Sequence, residues 1–235
     1  MPQIILEASG VSRRFGWRWA LRGVDLAIER GRRVAVLGAN GSGKTTLLKT
    51  LAGLLRPNEG EVRLGGEPMT TAARGRIGLL GHEPFLYPAL TLRENLEFFA
   101  KLFRLPPGAA RERIGRVCGA LDLTDRLDEP IRALSQGLCQ RAALARAMLH
   151  EPEVYLLDEP FSGLDPGAAE SLEGLLRNLP DGGGRSVVLT THDIGRALDL
   201  TDEVAVLARG EVVFRAASAE TTPEQVAEAL GGAGR

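Results

Sequence analysis

The sequence predicts an α/β protein. A mostly parallel sheet forms its body, with a small antiparallel β unit at the start and a helical unit inserted in the middle. Three observations predict this. The apolar run Val34-Ala35-Val36-Leu37 ends at Gly38 and a helical pattern opens near Lys44, giving strand, glycine loop and helix in order. Two more short apolar runs, 154–157 and 186–190, suit strands buried on both faces. Between 84 and 151 the period changes: Leu92, Leu96, Phe99 and Leu102, then Ile114, Val117 and Leu121, recur at helical spacing, with Pro106-Pro107-Gly108 as a break.

The remaining elements follow from local signals. Segments 4–8 and 24–28 alternate or cluster apolar residues as strands do, and together form the antiparallel β unit. Segment 60–64 reads as a strand entering a Gly65-Gly66 hairpin turn. Segment 77–80 is a short buried strand, and 204–207 and 212–214 flank Arg209-Gly210 as a closing hairpin. A tail from 216 carries one short helix, 223–230, and is expected to be loose. The whole chain, 1–235, is read as one domain with 84–151 as its inserted helical part.

Composition narrows the function classes. A formal net charge of -1 gives no global attraction to nucleic acid. Arg13, Arg14, Arg18 and Arg22 interleave with Phe15, Trp17 and Trp19, a mix that can bind single strands. A solvated arginine face is the preferred reading, and no nucleic-acid partner is expected. Cys118 and Cys139 lie far apart without a CxxC pattern, which points to packing thiols in a reduced, intracellular protein. The first residues lack a basic segment followed by a long apolar run, so no signal peptide is expected. No run approaches the about 18 apolar residues needed to span a bilayer, so a membrane role requires another chain.

Chemistry concentrates at two places. Gly38-Ala39-Asn40-Gly41-Ser42-Gly43-Lys44-Thr45 fits GxxxxGK[ST] in full. Its glycines let successive N–H groups turn inward toward phosphate oxygens, and the helix that follows adds its positive end. Lys44 is placed to bridge the β- and γ-phosphates, Thr45 to ligate Mg²⁺ and Thr46 to touch the α-phosphate. The strand 154–157 then delivers two adjacent carboxylates, Asp158 and Glu159, at the end where open α/β sheets bind ligands. Asp158 suits the Mg²⁺ shell, and Glu159 suits the general base that polarises an attacking water. These two elements define a nucleoside-triphosphatase without deciding between ATP and GTP.

Three further elements narrow it. Leu134-Ser135-Gln136-Gly137 precedes a helix, Phe161-Ser162-Gly163-Leu164-Asp165 follows Glu159, and His192 follows the strand 186–190. With these in order, the chain from about residue 4 to 214 resembles the nucleotide-binding subunits of ABC transporters.

The resemblance implies a phosphate-loop NTPase core of the RecA-like type, ATP and Mg²⁺ as cofactors, and a working dimer of two like or paralogous subunits. It also implies an integral membrane transporter subunit as partner and a peripheral position on the cytoplasmic face of the cell membrane. By resemblance, Ser135, Gln136 and Gly137 form the signature whose helix start meets the γ-phosphate held by the opposite subunit. Asp165 matches the aspartate that communicates across the dimer, and His192 the switch histidine on the γ-phosphate. Phe15 stands where an aromatic ring stacks on adenine, with Trp17 and Trp19 as competitors.

Two departures stand out. The signature reads Leu-Ser-Gln-Gly-Leu rather than LSGGQ, with Gln136 third and Leu138 fifth. His82 occupies the position of a common glutamine, with an expected catalytic and metal-contacting role. The segment Leu80-Gly81-His82 is similar to that of the haem-exporter ATPases of cytochrome c biogenesis. Phe85, Leu86, Tyr87 and Leu90 form an apolar cluster suited to docking a short partner helix, or to burial under the helical part.

Overall fold

The structure, a computed structural model, describes residues 3–178 and 184–232. Two long strands, β1 (Ile4–Phe15) and β2 (Arg18–Glu29), open the chain as an antiparallel hairpin. Both run beyond the expected segments, because the arginine-rich stretch remains extended. The Arg13 guanidinium lies 4.9 Å from the Phe15 ring centroid and also donates to the Arg56 carbonyl at 2.9 Å. Arg14 covers Trp19. Long stems over aromatic faces make polar residues acceptable on a strand.

Next come β3 (Arg33–Leu37), α1 (Lys44–Leu51), β4 (Glu59–Leu64), β5 (Glu67–Pro68), the short α2 (Thr71–Arg74) and β6 (Ile77–Leu80). Leu64 pairs with Glu67 across the two-residue Gly65-Gly66 turn. Strands β2, β1, β4 and β5 make a four-stranded antiparallel sheet in that order.

The segment after β6 carries α3 (Leu92–Leu102), α4 (Pro107–Ala120) and α5 (Gln136–Met148). Helix α3 opens with a reciprocal box: Glu94 N–H donates to the Thr91 hydroxyl, and Thr91 N–H to the Glu94 carboxylate. The bonds that carboxylate accepts from the Thr91 N–H and hydroxyl hold it below its usual range. Fully buried Asn95 pins the preceding loop, accepting from Tyr87 N–H at 2.8 Å and donating to the Thr91 carbonyl at 2.9 Å.

The chain then alternates β7 (Val154–Asp158), α6 (Pro166–Asn178), β8 (Ser186–Thr191), α7 (Ile194–Leu200), β9 (Glu203–Ala208), β10 (Glu211–Ala217) and α8 (Pro223–Gly232). The second sheet has the order β10-β9-β3-β8-β7-β6. Its five strands from β9 to β6 are parallel, and β10 adds an antiparallel edge.

Period-two alternation assigns this sheet to two cores. Val34, Val36, Val154, Leu156 and Val188 pack toward α1 and the antiparallel sheet. Ala35, Leu37, Tyr155, Leu157 and Leu189 pack toward the helices. Glu153 ties the two sheets at one end, accepting from Arg30 at 3.0 Å and Arg76 at 2.5 Å. The Arg76 bond, with help from Arg30, holds its carboxyl below the usual range.

Two expectations change. The tail from 216 is not loose across its described part: α8 anchors through Val226, fully buried against the helical-side core. Ala229 and Leu230 pack beside it, partly buried against the same core. The apolar cluster at 85–90 is divided, with Leu86 buried while Phe85 and Tyr87 stand about half exposed. Both cysteines are free; burial pushes the Cys118 thiol up to about 11, which suits packing rather than reactivity.

Candidate active site

The site is built at the carboxyl ends of the parallel strands, where strand geometry leaves backbone groups open to a ligand. Strand β3 ends at Leu37, and the loop 38–43 turns into α1. Gly43 caps that helix at φ 112, a conformation few L side chains adopt, and a Cβ there would also crowd Leu21 at 3.2 Å. The closing hairpin braces the loop, with Gly210 N–H donating to the Ser42 carbonyl at 3.0 Å. Lys44 is buried, and its Nζ donates to the Gly38 carbonyl at 2.7 Å. The same ammonium stands 3.5 Å from Glu159 Oε1.

The facing wall comes from β7 and β8, in register at Asp158 and Thr190. Thr190 Oγ1 donates to Asp158 Oδ1 at 2.8 Å and accepts from Glu159 N–H at 2.9 Å. One hydroxyl thus fixes both acidic residues. Glu159 sits at φ 47, in the left-handed region that favours glycine. Its carboxylate lies between the Lys44 ammonium and His192, whose Nδ1 is 3.1 Å from Glu159 Oε2.

These elements enclose a cleft of about 1160 Å³. Its lining includes Gly38, Asn40, Gly41, Ser42, Gly43, Lys44, Thr45 and Thr46 from the loop and helix start. Phe15, His82, Asp158, Glu159 and His192 complete the predicted set on the other walls. Trp19, Arg18 and Arg22 also line it, whereas Trp17 is 98 % exposed on the hairpin turn and stands outside. The cleft therefore has two aromatic candidates for a base, Phe15 and Trp19.

Ser135, Gln136, Gly137 and Asp165 lie outside this cleft. Ser135 caps α5, accepting from Leu138 N–H at 3.3 Å. Asp165 caps α6, accepting from Ala168 N–H at 2.9 Å. Thr190 is the functional residue whose role the residues alone did not reveal. Its signal is register, since only strand pairing sets it opposite Asp158.

The cleft fits a nucleoside triphosphate. The Ser42 hydroxyl is buried without a hydrogen-bond partner, in a glycine-lined cradle that also holds a buried cation. Thr45, Asp158 and His82 supply one hydroxyl, one carboxylate and one imidazole, a set that fits a dication completed by phosphate and water oxygens. Among the described residues, no group of three or more His, Cys, Asp and Glu side chains could hold a metal by itself.

A second groove, about 560 Å³, opens beside the helical part. Leu79, Phe85, Tyr87, Phe99 and Phe103 line it, with Arg146 and His150 at its base. Arg146 donates to the Leu79 carbonyl at 2.7 Å between the rings of Phe85 and Phe99, and burial pushes its guanidinium down to about 10. His150 stacks on Phe103 at 4.1 Å.

A glycine cradle with a buried lysine, facing a strand that ends in two carboxylates, defines a phosphate-loop nucleoside triphosphatase. Comparison with known proteins carries this further. The family model described as "ABC transporter" matches residues 21–162. The daunorubicin resistance ATP-binding protein DrrA3 of Streptomyces coeruleorubidus is 38% identical over 99% of this chain and 72% of its own length. The Nod factor export ATP-binding protein I of Ralstonia nicotianae is 35% identical over 89% of this chain and 66% of its own length.

Among solved structures, cbiO1 from Clostridium perfringens, part of the ABC transporter complex cbiONQ, superposes with a TM-score of 0.85 at 29% identity, covering 96% of this chain and 93% of that one. A dimeric ATP-binding cassette in a post-hydrolysis state with ADP and Pi gives 0.83 at 29% identity, covering 91% of this chain and 99% of that one. The chain belongs to the ABC transporter family of ATP-binding proteins and is an ABC-type ATPase.

Proposed function

We propose that this chain powers an exporter as one half of a two-subunit ATPase, with each ATP held by the phosphate loop of one subunit and capped by the Ser135 helix of the other. The separation of the predicted residues carries this reading. The loop, Glu159 and His192 converge on one cleft, while the Ser135 helix start stands apart from it. A helix start is an anion site, and one that does not line its own chain's nucleotide cleft suits a phosphate brought by a second subunit.

Within the cleft, Lys44 exchanges its contacts with Gly38 and Glu159 for phosphate oxygens. Glu159, released from the ammonium, accepts a proton from the attacking water, and His192 holds that carboxylate and the terminal phosphate in place. Thr45, Asp158 and His82 would hold Mg²⁺, which neutralises charge developing on the phosphates. Phe15 would stack on the adenine.

The partner we propose is an integral membrane subunit, seated on the groove lined by Phe85, Tyr87 and Phe99. Among the described residues, no helix is long and apolar enough to cross a membrane. That partner would hold this chain at the cytoplasmic face. Relatives named for daunorubicin resistance and for Nod factor export support the exporter reading. Haem export is the second reading. The observation that favours it is His82, on the cleft wall at the end of a Leu-Gly-His segment.

The test is a pull-down of Glu159→Gln from detergent-solubilised membranes with Mg-ATP, read by mass spectrometry and visible absorption. The expected result is a polytopic membrane protein without a haem band. A haem band would promote the second reading. Reproducible recovery of soluble proteins alone would overturn the transport reading.

A further inference from the structure

We propose that Gln136 is a positioning residue for hydrolysis: its carboxamide, seated on Gly163, couples the helix start that meets one ATP to the loop that carries Glu159 for the other. This rests on the two-subunit reading above. It concerns a residue that departs from the common LSGGQ form, so nothing about it follows from the usual glycine.

The contact is close and specific. Gln136 is the first residue of α5. Its carboxamide lies against the Cα of Gly163, so closely that a Cβ there would fall 2.7 Å from Gln136 Cδ. One more contact runs along the same helix turn: Gln140 Nε2 donates to the Pro160 carbonyl at 3.4 Å. The start of α5 thus grips loop 160–164 at two points. From the other side, the Arg196 guanidinium of α7 sits 4.7 Å from the Phe161 ring centroid and pairs with Glu173 of α6 at 2.7 Å.

The gripped loop is short and internally bonded. Ser162 N–H donates to the Glu159 carbonyl at 3.0 Å, and Leu164 N–H to the Phe161 carbonyl at 3.3 Å. Glu159, the residue just before it, is held at φ 47, where small backbone changes re-aim the carboxylate. Its contacts to Lys44 and His192, at 3.5 and 3.1 Å, leave little room for that. A phosphate arriving at the Ser135 helix start therefore moves a lever whose other end is the general base of the neighbouring site. Without a side chain at 136 the grip loses its outermost point.

The test is a double-mutant cycle on the full chain, with Gln136→Gly, Gly163→Ala, the pair together, and Gln136→Met as a shape-conserving control. Steady-state kcat and KM for ATP, the Hill coefficient and the unfolding midpoint are read for each. ATP-driven dimerisation is read by sedimentation, with each change also placed in the Glu159→Gln background. Gln136→Gly is expected to lower kcat about 5-fold, within the usual range of site-to-site coupling, with KM within about 2-fold and the Hill coefficient falling toward one. Gly163→Ala, which drives a methyl into the carboxamide and places alanine at φ 74, should lower kcat about 10-fold or more. Adding Gln136→Gly to it should restore kcat at least about 3-fold, because the colliding group is gone. Gln136→Met, which keeps side-chain length against Gly163, should recover at least about half of the kcat lost in Gln136→Gly.

Strictly multiplicative effects, or a loss of kcat that follows the unfolding midpoint while the Hill coefficient stays unchanged, would overturn the coupling. Those outcomes in a protein that still dimerises with ATP remove the coupling alone. A Glu159→Gln chain with no other change that binds ATP and stays monomeric removes the pairing of two like copies, and with it the coupling between their sites.

Discussion

Glu159→Gln slows ATP hydrolysis by about 10²–10⁴-fold and leaves ATP affinity within a few-fold of wild type; this is the largest effect the site predicts. The carboxylate stands between the Lys44 ammonium and the His192 imidazole, at 3.5 and 3.1 Å. Glutamine keeps the size and one acceptor but cannot take a proton from water. The fold at this point survives the change, because Thr190 holds the backbone N–H of residue 159 rather than its side chain. Single-turnover hydrolysis, measured beside equilibrium nucleotide binding, separates the two quantities. A variant that binds ATP and hydrolyses it within about 10-fold of wild type would assign the base elsewhere.

Lys44→Ala has the second-largest effect, and it falls on binding. The buried ammonium is the one cation among the loop residues 38–46. Its charge-assisted contacts to phosphate contribute about 2–3 kcal/mol, so ATP affinity falls roughly 30–150-fold. In the nucleotide-free protein Lys44 is satisfied by the Gly38 carbonyl, and its neighbours lie next to an open cleft that water can refill. The variant therefore unfolds near the wild-type midpoint without nucleotide. The upward shift that ATP gives the wild type shrinks, since that shift follows RT ln(1 + [L]/Kd). Thermal unfolding with and without ATP reads both quantities. An undiminished ATP-dependent shift would show that the loop holds phosphate without its lysine.

Much of this architecture was legible in residue patterns. The strand, loop and helix around Lys44 were, because an apolar run, three glycines and a helical period coincide within about 20 residues. So were the carboxylates at the end of β7 and the helical texture after β6. The hairpin of β1 and β2 was underestimated, because its arginine-rich turn end reads as loop yet stays paired across the ladder, with Arg13 and Arg14 stacked on aromatic rings. The C-terminal helix was legible but its anchoring was not, because it rests on one fully buried residue, Val226, flanked by the partly buried Ala229 and Leu230.

Within the site, a linear motif shows which residues supply chemistry but not which residues aim them. Thr190 acts through sheet register, and Glu159 through a backbone angle that no sequence pattern announces. Gln136 read as a substitution in the signature, and only its contact with Gly163 shows where the side chain goes. Resemblance supplied the partnership between Ser135 and a second subunit, since the chain by itself keeps that helix start away from its own cleft.

Two copies of this site, as proposed here, complete each other around ATP. Sedimentation velocity of the Glu159→Gln chain, with and without Mg-ATP, tests this. A monomer is expected without nucleotide, a dimer at saturating Mg-ATP, and loss of that dimer when Ser135 is replaced by a bulky residue such as arginine. A chain that binds ATP yet sediments as a monomer at every concentration tried would contradict it.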